Sequence, residues 1–239
     1  MQQPVNLKRI LEIAAFSAEA ALIAARSGAD RIELCSGYAE GGLTPSEGMI
    51  RLVKENTNVP VFVMIRPHGG DFCYSEESIR LMEYDIKCAL VLGADGFVFG
   101  CMKKDGTLDE KSTMRLTELC AGKPVTFHRA FDTCRDPFET LELLISCGIQ
   151  RILSSGQKAT AAEGAELLAA LNTAAADRIT IMPGAGIHPG NIRQIVEKTG
   201  CTEFHASAKR YTGSANSFGF GEHVLPDTKL IAALKEELI

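Results

Sequence analysis

The side chains of this chain best suited to chemistry stand at the ends of short apolar runs. Pro124-Val125-Thr126-Phe127 leads directly into His128 and Arg129, with Asp132 three residues further on. Val61 to Ile65 runs into Arg66, Thr202 to Phe204 ends on His205, and Glu33 interrupts the run Arg31 to Cys35. Two glycine-bearing stretches, Leu153-Ser154-Ser155-Gly156 and Pro183-Gly184-Ala185-Gly186, follow two further apolar runs. An arginine fork grips a carboxylate or phosphate through two parallel hydrogen bonds. An imidazole beside a carboxylate moves protons near neutral pH, and glycine turns let backbone N–H groups close on an anion. One reading is therefore proton transfer on a small anionic or phosphorylated metabolite. Glu33, His128 and Asp132 are its candidate catalytic groups, and Arg66, Arg129, Ser155, Gly156, Gly184, Gly186 and His205 its candidate substrate-binding groups. A metal-dependent variant gathers Glu12, Glu33, His128 and His205 around a hard divalent ion. The bland alternative is an ion-pair network that only fills a core. No lysine lies inside an apolar run, Lys209 being the nearest, which disfavours Schiff-base chemistry.

Something must carry these groups to one place, and the chain repeats a single unit that could. Strands are expected at Leu11 to Ala15, Arg31 to Cys35, Val61 to Ile65, Phe97 to Phe99, Pro124 to His128, Arg151 to Leu153, Ile179 to Met182 and Thr202 to His205. Helices are expected between them, with Ser17, Thr44, Ser75, Ser112, Asp136, Thr160 and Asn191 at their starts. Gly28, Gly93 and Gly148 stand where helices stop. A Gly/Ser-rich loop, residues 209–226, is expected before a last helix from Thr228 to Leu238. Eight strands separated by helices imply parallel pairing, and short αβ turns with long βα loops imply a (β/α)₈ TIM barrel forming one domain over 1–239. In such a barrel the inward set includes Glu12, Arg31, Glu33, Arg66, His128, Glu203 and His205. Of these, Glu33, Arg66, His128 and His205 fall at strand C-termini, the end where barrel active sites are built. An open doubly wound sheet is the competing architecture.

Composition narrows the class. The 239 residues are 46% hydrophobic and 23% charged, as in an ordinary soluble globular protein. A net charge of −5 without a basic stripe argues against nucleic acid. No apolar run reaches the roughly 20 residues of a membrane helix. The start Met1-Gln2-Gln3-Pro4 resembles no signal peptide, so a cytoplasmic location is expected. The eight cysteines then belong to a reducing compartment, and no Cys-x-x-Cys pair marks a zinc site.

Six motifs carry a resemblance: residues 28–35 (GADRIELC), 40–46 (EGGLTPS), 65–67 (IRP), 69–72 (GGDF), 126–132 (TFHRAFD) and 155–157 (SGQ). Together they resemble the CutC family of copper homeostasis proteins across nearly the whole chain. The resemblance implies a cytoplasmic TIM barrel, homo-oligomeric, in which some members bind copper(I) with Cys35 as a metal ligand. Relatives that look like copper binders pair Cys35 with a cysteine in the first strand. Here that position is Ala14, which leaves His128, Cys73 or Cys101-Met102 to assist. Copper(I) prefers thiolate and thioether ligands. His68 and Pro183 also depart from the family pattern.

Overall fold

The computed structural model describes residues 8–212 and 223–238. Eight parallel strands form one sheet: β1 Ile10–Ala15, β2 Arg31–Leu34, β3 Val61–Met64, β4 Gly96–Phe99, β5 Val125–Phe127, β6 Arg151–Ser154, β7 Thr180–Pro183 and β8 Glu203–Ala206. From β1 to β7 each strand pairs with the next in sequence, β8 pairs back onto β1, and β7 lies beside β8, so the sheet curls round on itself as the expected barrel. Helices α1 Ala18–Arg26, α2 Glu47–Asn56, α3 Glu76–Val91, α4 Glu110–Leu119, α5 Pro137–Ser146, α6 Ala165–Ala175 and α7 Ile192–Thr199 alternate with the strands, and α8 Thr228–Glu237 follows them. Among the described residues no helix is long and apolar enough to cross a membrane.

The capping chemistry explains most helix starts. Ser17 accepts from Ala20 N, Ser75 from Ser78 N, and Asp136 from Phe138 N and Glu139 N, with Pro137 opening α5. Three starts differ from the sequence reading. Thr44 does not cap α2: its Oγ1 accepts from Arg66 N at 3.0 Å, and Ser46 takes the cap by accepting from Met49 N. Asp109, not Ser112, caps α4. The helix expected from Thr160 begins only at Ala165, because Gly164 is drawn against the loop after β6, where a Cβ on Gly156 would lie 2.3 Å from Gly164 O. The segment expected as a plain loop after β8 is in part a hairpin. β9 Lys209–Thr212 pairs antiparallel with β10 His223–Pro226, and the Gly/Ser-rich stretch between them lies outside the described residues.

Strand alternation sorts side chains into two environments. Leu11, Ile13, Ile32, Leu34, Val61, Val63, Phe97, Phe99, Val125, Phe127, Ile152, Ile181 and Phe204 point out and join the helices in the main core. The inward residues are of mixed polarity. A cluster of Cys35, Phe62, Met64 and Val98 fills one side, and charges fill the rest. Arg31 Nε pairs with Glu12, Arg31 Nη2 lies 2.6 Å from Glu203 Oε2, and Arg151 grips the same carboxylate at 2.5 and 3.1 Å. The Phe62 ring stands 4.9 Å from one guanidinium carbon and 5.4 Å from the other, so both cations rest against its π-system. Arg151 was absent from the expected inward set, although its register opposite Thr126 turns it inward. Removing one member of such a buried network strands the charge of its partners, at about 3–5 kcal/mol. Arg31→Met should therefore lower the stability measured by urea unfolding by that amount. A loss below about 1 kcal/mol would show the network to be energetically idle.

Candidate functional site

At the C-terminal ends of the strands the barrel opens into a cavity of about 580 Å³ whose lining includes Glu33, Arg66, His128 and His205. The four groups singled out by sequence thus meet in one cup. His128 follows β5 directly, its amide donating to Phe99 O at 3.0 Å. Its Nδ1 accepts from Ala130 N at 3.2 Å and so caps the short 3₁₀ turn Arg129–Thr133. A neutral imidazole that accepts at Nδ1 carries its proton on Nε2, and Nε2 is buried without a partner. Burial, then the Arg66 charge, push the His128 pKa down to about 3. Gly100, which the sequence reading missed, makes this pose possible, since a Cβ there would lie 2.7 Å from Nδ1.

Glu33 is 4% exposed, and its Oε1 likewise lacks a partner. Its Oε2 lies 3.5 Å from Cys35 Sγ and 3.8 Å from His205 Nε2. Burial raises the Glu33 pKa, the His205 charge opposes, and the Glu12 charge raises it further. His205 Nδ1 meets Glu12 Oε1 at 2.8 Å. Burial alone would lower the His205 pKa, but Glu33 and Glu12 reverse that and leave it raised. Burial acts upward on Glu12 too, where the Arg31 and His205 charges win and hold it at about 2. Gly184 does not line the cavity, and its N–H donates to Ser154 O. The Cβ it lacks would fall 2.4 Å from Leu153 Cδ1, so its role is to let that side chain pack close.

Several sequence candidates are committed elsewhere. The Arg66 fork is not open for a ligand. Nη1 donates to Glu40 O and Gly42 O at 2.5 and 3.0 Å, Nη2 donates to Gly70 O at 2.9 Å, and the guanidinium lies over Phe72. Its Nε is buried without a hydrogen bond, beside the Tyr74 hydroxyl. Arg66 therefore ties the loops after β2 and β3 together. Asp132 does not reach the cup and is no proton partner for His128. It accepts from Ser154 Oγ, Ser155 N and Gln157 N and pairs with Arg129 Nε at 2.8 Å. Ser155 and Gly156 belong to that same folded loop, with Gly156 N donating to Ser154 Oγ, so their amides face the protein. Arg129 and Gly186 do line the cavity. On its rim Lys209 Nζ donates to Tyr38 Oη and lies 5.1 and 5.6 Å from the Tyr38 and Tyr211 ring centres. The hydrogen bond to Tyr38 raises its pKa, which keeps it an ammonium rather than a Schiff-base amine.

Cys35 is fully buried and does not line the cavity. Burial and the Glu33 charge push its thiol well above the ordinary range. Met64 supplies a thioether nearby, both side chains abutting Gly42. No second cysteine joins that cluster among the described residues: Cys101, Cys120, Cys134, Cys147 and Cys201 lie in the outer core. Ala14 lines the cavity where a first-strand cysteine would stand. One thiol and one thioether, with no second cysteine beside them, make a poor donor set for copper(I), which prefers paired soft ligands.

The model of the CutC family matches residues 9–210. The chain belongs to the CutC family. The human copper homeostasis protein cutC homolog is 48% identical over 209 residues, covering 87% of this chain and 77% of that one. The CutC family protein of Chromobacterium violaceum is 45% identical over 215 residues, covering 90% and 87%. The crystal structure of a CutC copper homeostasis protein from Streptococcus agalactiae superposes with a TM-score of 0.80 at 32% identity, covering 83% of this chain and 98% of that one. Phosphoribosylanthranilate isomerase from Thermotoga maritima, at 13% identity and a TM-score of 0.60, shares the fold alone with this CutC chain.

The His128 environment gives a direct expectation. Its folded pKa lies below its unfolded one, so the fold favours the neutral ring, and stability falls as pH drops from about 6.5 toward 3. Nitrogen-15 NMR should find His128 neutral and protonated at Nε2 at pH 5. An imidazolium at that pH would contradict the assignment.

Proposed function

We propose that the cup is the active centre of an enzyme that moves a proton on a small anionic metabolite. Glu33 exchanges the proton through Oε1, and His128 donates from Nε2 to an oxygen of the substrate. One observation carries the reading: two buried polar atoms without partners, Glu33 Oε1 and His128 Nε2, belong to side chains lining the same cavity. An unsatisfied buried donor or acceptor costs about 1–3 kcal/mol, and a ligand reaching both would remove that cost. Their electrostatics suit the roles. Burial keeps His128 a neutral donor, able to hydrogen-bond a developing oxyanion without itself titrating. The same cause lifts Glu33 toward the range where a carboxylate both accepts and returns a proton. Arg129 and Lys209 on the lining favour an anionic substituent, a carboxylate or phosphate, toward solvent. The free thiols among the described residues suit a cytoplasmic setting.

Copper homeostasis enters through the family, and the donor chemistry around Cys35 speaks against tight copper(I) binding at that residue. Anaerobic copper(I) titration against a chelator should give the same affinity for wild type and Cys35→Ala. A clear weakening in the variant would make Cys35 a ligand and favour the copper reading. Proton transfer is tested by incubating the protein in D₂O with pooled hydroxyaldehydes, ketoses and 2-oxo acids, in buffer containing mixed divalent cations. Loss of a C–H signal next to a carbonyl is expected by proton NMR, slowed at least about 100-fold by Glu33→Gln and by His128→Phe. Exchange that persists in both variants, or none with any compound class, overturns the reading.

A further inference from the structure

We propose that Glu33 and His205 form an open site for a divalent cation of the manganese(II) class, with Glu12 as the outer carboxylate that orients the imidazole. Ligand atoms of Glu12, Glu33 and His205 all lie within 4.8 Å of one another, but the three are not equivalent. Glu12 is wholly buried, does not line the cavity, and has both oxygens engaged, Oε1 by His205 Nδ1 at 2.8 Å and Oε2 by Arg31. It is placed as metal-bound histidines require, with a carboxylate fixing the ring from behind and leaving the Nε2 lone pair forward. That nitrogen faces Glu33 Oε2 across 3.8 Å. The gap is too long for a hydrogen bond. It matches two donors sharing one ion, since ligands each about 2.1 Å from a metal stand roughly 3–4 Å apart.

Two further observations point the same way. The Glu33 carboxylate, on a side chain 5% exposed, has no charged hydrogen-bond partner inside the protein: Oε2 meets only the Cys35 thiol at 3.5 Å, and Oε1 meets nothing. The linked cluster is also short of positive charge: the carboxylates of Glu12, Glu33 and Glu203 face the guanidiniums of Arg31 and Arg151. A bound cation supplies what is missing, as does a proton on His205. His128 is excluded as a ligand, because accepting from Ala130 N at Nδ1 places its proton on Nε2. Cys35 is excluded by position, being fully buried and off the cavity lining. Two protein ligands of imidazole and carboxylate type leave the other positions to water and substrate. That donor set suits manganese(II) or its neighbours and not copper(I). This rests on the reading of the cup above: the ion would hold a substrate oxygen opposite His128 Nε2, leaving Glu33 Oε1 uncoordinated to exchange the proton.

The test uses manganese(II) alone with the metal-free full chain. Electron paramagnetic resonance should count one ion per chain and show spin-echo modulation from a single imidazole nitrogen, absent in His205→Asn. Affinity should tighten from pH 6 to pH 8, because the imidazole must shed its proton to bind. Glu33→Gln, which keeps the shape of the side chain, should weaken binding at least about tenfold, and Cys35→Ser should not. Circular dichroism melts establish that each variant is folded. No binding at millimolar manganese(II), or binding indifferent to both His205 and Glu33, overturns the proposal. Carbon–hydrogen exchange that continues undiminished in EDTA would overturn the metal while leaving the cup reading intact. Manganese(II) bound at His205 with no exchange of any compound would do the reverse.

Discussion

A sheet of eight strands closed on itself has an interior that water enters only from the ends, so every charge turned inward must find its counter-charge among a few neighbours. In this barrel Arg31 meets that constraint in the lower layer. It bridges Glu12 and Glu203, Arg151 closes on the same Glu203 carboxylate, and both guanidiniums rest against the Phe62 ring. The upper layer inherits the consequences. Glu12 is held ionised by Arg31, an ionised Glu12 turns His205, and His205 together with Glu12 governs the charge of Glu33. The lower network is internally satisfied. The upper one ends in side chains that line a cavity.

That contrast separates structure from function within a single row of inward residues. Arg31 and Arg66 are both buried arginines, yet one neutralises carboxylates and the other ties down three backbone carbonyls. Neither offers a free fork to a ligand. Glu33 and His128 are the acid and base of the row with an unpartnered atom, Arg66 keeping an unpartnered Nε besides, and both stand at the strand ends where barrels of this kind do their chemistry.

The repeat of strand and helix was legible because period and caps are local: Ser17, Ser75 and Asp136 do in the folded chain what their neighbours in sequence predict. The convergence of Glu33, Arg66, His128 and His205 followed from strand parity plus closure of the barrel. What escaped were partners made by tertiary approach. Thr44 looks like a helix cap until the chain after β3 brings Arg66 N to its hydroxyl. Asp132 looks like the companion of His128 until the loop after β6 folds its amides onto it. Gly100 carries no chemical signal, because its contribution is the space it leaves for the His128 imidazole. Arg151 opens its strand like any polar boundary residue, and only register shows that it turns inward.

The chemistry on offer is that of oxygen and imidazole donors around a small cup, with the Cys35 thiol buried off its lining in an apolar cluster. On the proposed reading the functional weight of the chain lies on its acid and base groups rather than on its sulfur. The central claim is that Glu33 Oε1 and His128 Nε2 are left unpaired by the protein in order to be paired by a ligand. A crystal structure at about 1 Å resolution, where imidazole protons begin to be visible, examines it most directly. The account predicts ordered solvent or solute bridging the two atoms, with the His128 proton on Nε2. Protein groups closed onto both atoms, leaving no space between them, would contradict it.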